Sequence, residues 1–322
     1  MTRALRWGIL GVSELVGRKA VLPALQRSPA AEIVAIGSRD PERARIEARR
    51  FGAPKSGSYE DVLADPNVEA VYLPLPNGLH LPWTLEAARR GKHVLSEKPL
   101  ACNAAEAREM AEACEAASVV LMEAYMTPFH PRHTRTIDLA RTLGDLRFAH
   151  TVFTFTADDP ERKNYRFDPK LGGGALLDVG IYCLAPLLAI AGRDPVHVAG
   201  NAVLAPEGID TSFSGWLDFG NGFTASFEAS FEAPERQVLE VVGTDTILRV
   251  EDQAFTPGPT DTTLRVGDQI ITCDANDPYQ AMVELFAAVV RGEAAPLRTP
   301  QDSVRLLDLL DRLRDEVLHR PR

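Results

Sequence analysis

A chain of 322 residues with 45% apolar and 25% charged side chains has an ordinary globular composition, with length for about two domains. Disorder, collagen and coiled coil are thereby excluded for the chain as a whole. Against 45 acidic residues stand 35 basic ones, a net charge of −10, which lacks the cationic excess that binding nucleic-acid phosphates requires.

The first third alternates short apolar runs with helical patterns. Leu5–Leu10 reads as a strand, followed by Gly11 and a helix over Val16–Arg27. Ile33–Ile36 is a second strand; a helix over Pro41–Arg50 follows, with Asp40 as N-cap and proline in its first turn. Val68–Leu75, His93–Leu95 and Val119–Glu123 are further strands, separated by helices over Pro82–Arg90 (stopping at Gly91) and Ala104–Ala117. Continuous apolar runs of this kind suit strands buried on both faces, and the segment is predicted to be an α/β, doubly wound parallel sheet.

The pattern changes near Met126. A helix over Pro131–Leu143 precedes a long alternating strand, Leu146–Thr156, and Ala157–Gly174 is rich in loop residues. Leu176–Ala191 reads as one helix. Strands follow at His197–Leu204, Thr211–Phe219, Phe223–Phe231, Gln237–Val242 and Ile247–Val250, and Gly220-Asn221-Gly222 supplies a tight hairpin turn. Helices over Tyr279–Arg291 and Pro300–Leu318 close the chain. The expected organisation is an α/β domain over residues 1–125 and an α+β domain with a mainly antiparallel sheet over residues 126–322.

The cysteines, Cys102, Cys114, Cys183 and Cys273, form no CxxC pair and have no histidine cluster beside them, so no metal is indicated. The start, MTRALRWGILGV, has no apolar core ending in a small-residue cleavage site, so no signal peptide is expected. No apolar run is read as approaching the roughly 18 residues of a membrane span. A reducing cytoplasm without membrane attachment is the expectation.

Five segments carry chemistry. The turn Gly8-Ile9-Leu10-Gly11-Val12-Ser13-Glu14-Leu15-Val16 follows a strand where a dinucleotide-binding turn would lie. Only Gly11 is well placed; Ser13 and Val16 stand where the other two small residues belong, and the alternative is a turn that holds no ligand. Ser13 can still offer phosphate an N–H and a hydroxyl at a helix start. At the end of the second strand, Ser38 and Arg39 replace the acidic residue that would bind a ribose 2′-hydroxyl; with Arg43 one turn on, they suit a 2′-phosphate, hence NADP, unless Arg39 is merely solvated. Leu73-Pro74-Leu75-Pro76-Asn77-Gly78-Leu79-His80 and Ser96-Glu97-Lys98-Pro99-Leu100 lie at carboxyl ends of strands, where open α/β sheets bind ligands. His80 could be only a helix-start residue, and Lys98 half of a surface ion pair. In Gly172-Gly173-Gly174-Ala175-Leu176-Leu177-Asp178-Val179-Gly180-Ile181-Tyr182, Asp178 and Tyr182 are i and i+4 on an otherwise apolar helix. A structural Asp–Tyr pair is the alternative to a catalytic one.

Gly11, Glu97-Lys98-Pro99 and GGGALLDVGIYCL at Gly172–Leu184 together resemble the Gfo/Idh/MocA oxidoreductases, named for glucose–fructose oxidoreductase and inositol dehydrogenase. The resemblance covers essentially the whole chain and is strongest at Ala70–Ala101 and Glu123–Arg132. Its nearest branch holds dihydrodiol dehydrogenases, NADP-linked xylose dehydrogenases and nucleotide-sugar 3-ketoreductases. The resemblance implies a Rossmann domain plus an open-faced sheet whose face often forms a homodimer or larger homo-oligomer. It implies Lys98, Asp178 and Tyr182 as catalytic residues. It implies NADP(H) held by Gly11, Ser13, Glu14, Leu15, Ser38, Arg39, Arg43, Leu73, Pro74, Leu75, Asn77, His80, Glu97, Lys98, Met126 and Arg166. Tyr182 stands where many members have histidine, and Thr127-Pro128 replaces an expected aromatic or basic pair.

The implied reaction is hydride transfer between NADP(H) and the hydroxyl or carbonyl carbon of a polyol, sugar, ketosugar or cyclic diol. Tyr182 would donate or accept the proton. A free phenol, with a pKa near 10, is a poor base at neutral pH, and the Lys98 ammonium would stabilise its phenolate. The alternatives are a nucleotide-sugar 3-ketoreductase and a non-catalytic NADP(H)-binding sensor.

Overall fold

The computed structural model describes residues 3–14, 16–157, 159, 161 and 163–318. Two compact units emerge, Met1–Met126 with Tyr279–Val304, and Thr127–Pro278 with Arg305–Arg322. Sequence reading assigned everything after residue 125 to the second domain; Tyr279–Val304 instead packs in the first.

The first unit is built on six parallel strands: β1 (Leu5–Leu10), β2 (Ala31–Gly37), β3 (Lys55–Gly57), β4 (Ala70–Leu73), β5 (His93–Glu97) and β6 (Leu121–Ala124). Their order is β3-β2-β1-β4-β5-β6. Successive strands run outward from β1 in two directions, and ligands bind at such a reversal, outside the carboxyl ends of the strands. Because helices cover both faces, the central strands are largely apolar; Trp7, Ile9 and Leu10 of β1 are wholly buried. The helices are α1 (Leu22–Arg27), α2 (Pro41–Phe51), α3 (Tyr59–Ala64), α4 (His80–Arg89) and α5 (Ala104–Ala116). Asp40 caps α2 by accepting from the N–H groups of Glu42 and Arg43, and Gly52, at φ +71°, ends it. A reciprocal Ser58–Asp61 capping box starts α3.

In the second unit, α6 (Pro131–Ala140) leads into β7 (Leu146–Thr156), and α7 (Ile181–Ala191) precedes β8 (His197–Leu204) and β9 (Asp210–Asp218). Five more strands follow: β10 (Thr224–Ser230), β11 (Glu232–Gly243), β12 (Ile247–Val250), β13 (Thr262–Val266) and β14 (Gln269–Cys273). The sheet order is β14-β13-β12-β11-β7-β10-β9-β8. Only the β7–β10 pair is parallel, so the sheet is mainly antiparallel. Gly220, Asn221 and Gly222 all take positive φ in the β9–β10 hairpin, as its tight turn requires.

Two helices then close the chain, α8 (Pro278–Val290) and α9 (Pro300–Leu318). From α8, Phe286 packs its ring 4.9 Å from that of Trp7, in the middle of the first unit's core.

Three local features depart from the sequence reading. The helices expected over Val16–Arg27 and Leu176–Ala191 each begin with a π-helical turn, Gly17–Val21 and Leu176–Gly180. The β3–α3 pair and the β13–β14 hairpin carry too little apolar pattern to be seen. And one run, Pro169–Ala191, is long and apolar enough to cross a membrane, with a mean hydropathy of 1.9; 89% of that window is buried in the protein, so its apolarity serves core packing.

Candidate active site

In the first unit, the turn after β1 places Gly11 at φ +90°, with its N–H on the Gly37 carbonyl at 2.8 Å. A Cβ there would lie 3.0 Å from Leu75 Cδ2 and 3.2 Å from the Tyr59 phenol oxygen, so a side chain would be strained by the backbone conformation and crowded by its neighbours. The Ser13 hydroxyl accepts the Gly17 N–H at 2.8 Å, and Arg18 N–H reaches Ser13 O at 2.9 Å, the i to i+5 bond of a π turn. This extra residue moves the third small position of the fingerprint. Gly17, rather than Val16, makes the close approach, since a Cβ on it would meet Ser13 Oγ at 2.9 Å and Pro74 at 3.5 Å. Leu15 lies outside the described residues.

Beyond β2, the Ser38 hydroxyl accepts the Asp40 N–H, and Arg39 is exposed. Arg43 donates to the Val12 carbonyl at 2.7 Å and to the Glu14 carboxylate at 3.2 Å; Glu14 also pairs with Arg18. Tyr59 was not anticipated here. Its hydroxyl points to Gly11, burial raises its pKa, and Arg39 and Arg43 both oppose that rise. Tyr59 follows a serine three residues before an aspartate, a helix-start signal that marks α3 but not its neighbours in space.

The loop after β4 is largely buried. Leu73, Pro74, Leu75 and Asn77 are buried, and Asn77–Leu79 forms one 3₁₀ turn. His80 is wholly buried, its Nε2 lying 2.9 Å from the Leu75 carbonyl and its Nδ1 3.0 Å from the Pro99 carbonyl.

The turn after β5 carries Lys98, half-buried, before a cis Lys98–Pro99 bond. Glu97 turns inward. One carboxylate oxygen accepts the Tyr72 hydroxyl at 2.5 Å and the other the Lys98 N–H at 3.3 Å. Burial pushes the Glu97 pKa up to about 7, against the Tyr72 hydrogen bond and the Lys98 charge. A carboxyl whose folded pKa exceeds its unfolded value stabilises the fold below the unfolded pKa, and this contribution is lost as pH rises through about 7. In Glu97→Gln the amide can face its oxygen to Lys98 N–H and its NH₂ to the phenol. The Tm of this variant relative to the parent should therefore rise between pH 5 and pH 8, by on the order of 5 °C. A flat difference across that range would mean that Glu97 titrates normally.

A second buried carboxylate, Glu123 on β6, was also unanticipated. It accepts the Leu100 N–H at 2.8 Å, the Ser303 hydroxyl at 2.7 Å and the Arg298 guanidinium at 3.2 Å. Met126, at the end of the unit, is buried.

In the second unit, the glycines of Gly172–Gly174 let the chain fold tightly. A Cβ on Gly173 would strike the Arg166 carbonyl at 2.4 Å; Gly174, at φ +120°, lets Asp210 come close. The following helix has no cap of its own. Asp210, at the start of β9, instead accepts the Leu176 N–H at 2.6 Å. Asp178 is 4% exposed and receives Arg166 Nε at 2.6 Å. The guanidinium lies over the Tyr165 ring at 5.1 Å, and Asp178, Tyr165 and Tyr182 all raise the Arg166 pKa. Tyr182 is largely buried, edge-on to Phe153 at 5.3 Å.

The predicted residues thus form two groups. Gly11, Ser13, Glu14, Arg39 and Arg43 surround the first turn, adjoined by Leu75, while Glu97 and Lys98 share the next strand ends with His80. Arg166, Asp178 and Tyr182 form the other group, in which Arg166 is held by Asp178.

Residues 5–125 match the family model described as an oxidoreductase family with an NAD-binding Rossmann fold, and residues 133–249 match the GFO/IDH/MocA C-terminal domain. The chain belongs to the Gfo/Idh/MocA oxidoreductase family. It is 39% identical to D-xylose 1-dehydrogenase (NADP(+)) 2 of Haloferax volcanii, over 95% of each chain. It is 34% identical to trans-1,2-dihydrobenzene-1,2-diol dehydrogenase of Mus musculus, over 77% of this chain and 75% of that one. Among solved structures, a 3-ketoreductase from Actinomadura kijaniata in complex with NADP and TDP-benzene superposes with a TM-score of 0.92 at 29% identity, covering 98% of both chains. The branch expected from the motifs is the one these relatives represent.

Proposed function

We propose that this oxidoreductase transfers hydride reversibly between NADP(H) and the hydroxyl or carbonyl carbon of a sugar or cyclic diol. The observation that carries it is the cradle at the ends of β1 and β2, where Gly11 takes a left-handed conformation under tight contacts and Arg39, Arg43 and Tyr59 gather beside it. These residues fit a dinucleotide bearing a 2′-phosphate: Gly11 lets backbone approach the pyrophosphate, and Ser38, Arg39 and Arg43 bind the third phosphate. When bound, NADPH supplies the hydride. Each unit supplies one of the groups this chemistry needs: Lys98 a positive charge that would stabilise an alkoxide, and Tyr182 a phenol that would give the proton. Asp178, through Arg166, keeps a cation beside that phenol and favours its ionised form in the reverse direction.

Reversing the Arg39 charge in Arg39→Glu should weaken NADPH binding about 10- to 100-fold, the worth of a charge-assisted phosphate contact, and leave NADH binding nearly unchanged. Fluorescence titration with both nucleotides checks this; equal losses for the two would remove Arg39 from 2′-phosphate recognition.

A second reading, nucleotide-sugar 3-ketoreductase, is favoured by the TM-score of 0.92 to the 3-ketoreductase. Oxidation of a panel of aldoses and trans-diols, against reduction of dTDP-ketosugars, followed by nicotinamide absorbance, separates the two readings. Tight NADPH binding without turnover on either panel would leave only a sensor.

We further place the protein in a homo-oligomer. Phe148 and Trp216 are 61% and 43% exposed among His150, Ser226, Glu240 and Val242 on one face of the second unit's sheet, and two large exposed aromatic rings favour a partner. The four free thiols accord with a reducing cytoplasm.

A further inference from the structure

Two loops of the first unit, residues 74–79 after β4 and 98–100 after β5, meet at one imidazole. His80 is wholly buried, and each of its ring nitrogens faces a backbone carbonyl, Leu75 O at 2.9 Å and Pro99 O at 3.0 Å. Carbonyl oxygens only accept, so each contact is a hydrogen bond only where the ring carries an N–H. Burial lowers the His80 pKa, so near neutral pH the ring has one N–H to give. The ring therefore sits between the two loops, hydrogen-bonded to one carbonyl at a time, with both carbonyls in reach of its nitrogens.

The turn that carries Lys98 has few other ways to shift. Its Lys98 N–H is held by Glu97, and its Leu100 N–H by Glu123, which is itself fixed by Ser303 and Arg298. His80 governs the carbonyl between these two amides. Side chains thus occupy three of the four backbone polar groups from the Lys98 N–H to the Leu100 N–H, and the imidazole also reaches the Leu75 carbonyl of the other loop.

We propose that His80 is a positioning residue for Lys98: it sets the place of the lysine by locking the turn after β5 against the loop after β4. This deepens the role given to Lys98 and rests on that role for its kinetic arm. No contact between the imidazole and cofactor or substrate is required.

His80→Leu keeps the apolar volume and removes both nitrogens; His80→Gln returns two N–H groups on one nitrogen. In the cofactor-free protein, exchange of the Leu100 amide should be about 10-fold faster in His80→Leu and near the parent rate in His80→Gln. With NADPH and an active carbonyl substrate, kcat of His80→Leu should fall about 100-fold, the cost of misplacing a catalytic group by about 1 Å. In a Lys98→Ala background the same substitution should leave the residual kcat unchanged, since its effect passes through the lysine. An equal fractional loss in both backgrounds, or unaltered Leu100 exchange, overturns the proposal. If His80→Leu does not fold, His80→Gln carries both readouts: parent-like exchange and kcat support the proposal, and exchange faster than that of the parent with kcat unchanged overturns it. The exchange result stands without turnover, so an enzyme inactive on every carbonyl tested would defeat the redox reading and leave the exchange arm intact.

Discussion

Tyr182→Phe should lower turnover about 10²- to 10⁴-fold while leaving NADPH affinity close to that of the parent, because it removes one oxygen and little else. The ring is largely buried and edge-on to Phe153 at 5.3 Å, and phenylalanine keeps that packing. What is lost is the hydroxyl, the group able to pass a proton to the alkoxide formed by hydride arrival. Because the same phenol gives the proton in reduction and takes it in oxidation, kcat/KM should fall by the same factor in both directions. Initial rates in both directions, with a fluorescence titration of NADPH, test this. Equal turnover in the variant would take the phenol out of the mechanism and leave proton transfer to water.

Arg166→Met should destabilise the second unit by about 3 kcal/mol, since it leaves the Asp178 carboxylate buried without its guanidinium. Asp178 is 4% exposed, and the Nε contact is 2.6 Å. The expected cost lies at the low end for a broken buried pair, because the Arg166 side chain keeps 20% of its surface in water. Thermal unfolding should show a Tm lower by several degrees. Adding Asp178→Asn should recover much of the loss, as the neutral amide no longer needs a cation. Additive losses in the double variant would mean that the two groups are not energetically coupled. Arg166→Lys tests geometry as well as charge: an ammonium matches the charge but not the planar donor fork.

Much of this fold was legible because the signals were local. A strand buried on both faces must be apolar along its length, so β1, β2, β4, β5 and β6 show in sequence. The chemistry at strand ends follows from topology, which is why Lys98 could be placed after β5 before any coordinates. Local signals failed where the decisive partner is distant in sequence. The Glu123 carboxylate on β6 reads as a strand residue, and only the return of residues 298–303 makes it an anchor. Asp210 lies just ahead of the strand expected at Thr211–Phe219, yet its carboxylate accepts the N–H that starts a helix 34 residues earlier. Gly17 was passed over because a fingerprint counted along an α-helix has no place for the extra residue of a π turn. The exposed, polar Lys55–Gly57 gives no pattern, although it forms an edge strand of the sheet. The ion pair between Arg166 and Asp178, 12 residues apart across an irregular loop, likewise has no local signal.

The pairing of Trp7 with Phe286 bears on how the polypeptide matures. The indole on the first strand meets its aromatic neighbour only after some 280 intervening residues exist, and Glu123 waits longer still, for Ser303. A nascent amino-terminal segment released at residue 126 would present an unfinished hydrophobic interior to the ribosome surface and to chaperones, and domains normally complete folding as units. Completion of the nucleotide-binding half thus waits until residues 279–304 have been synthesised.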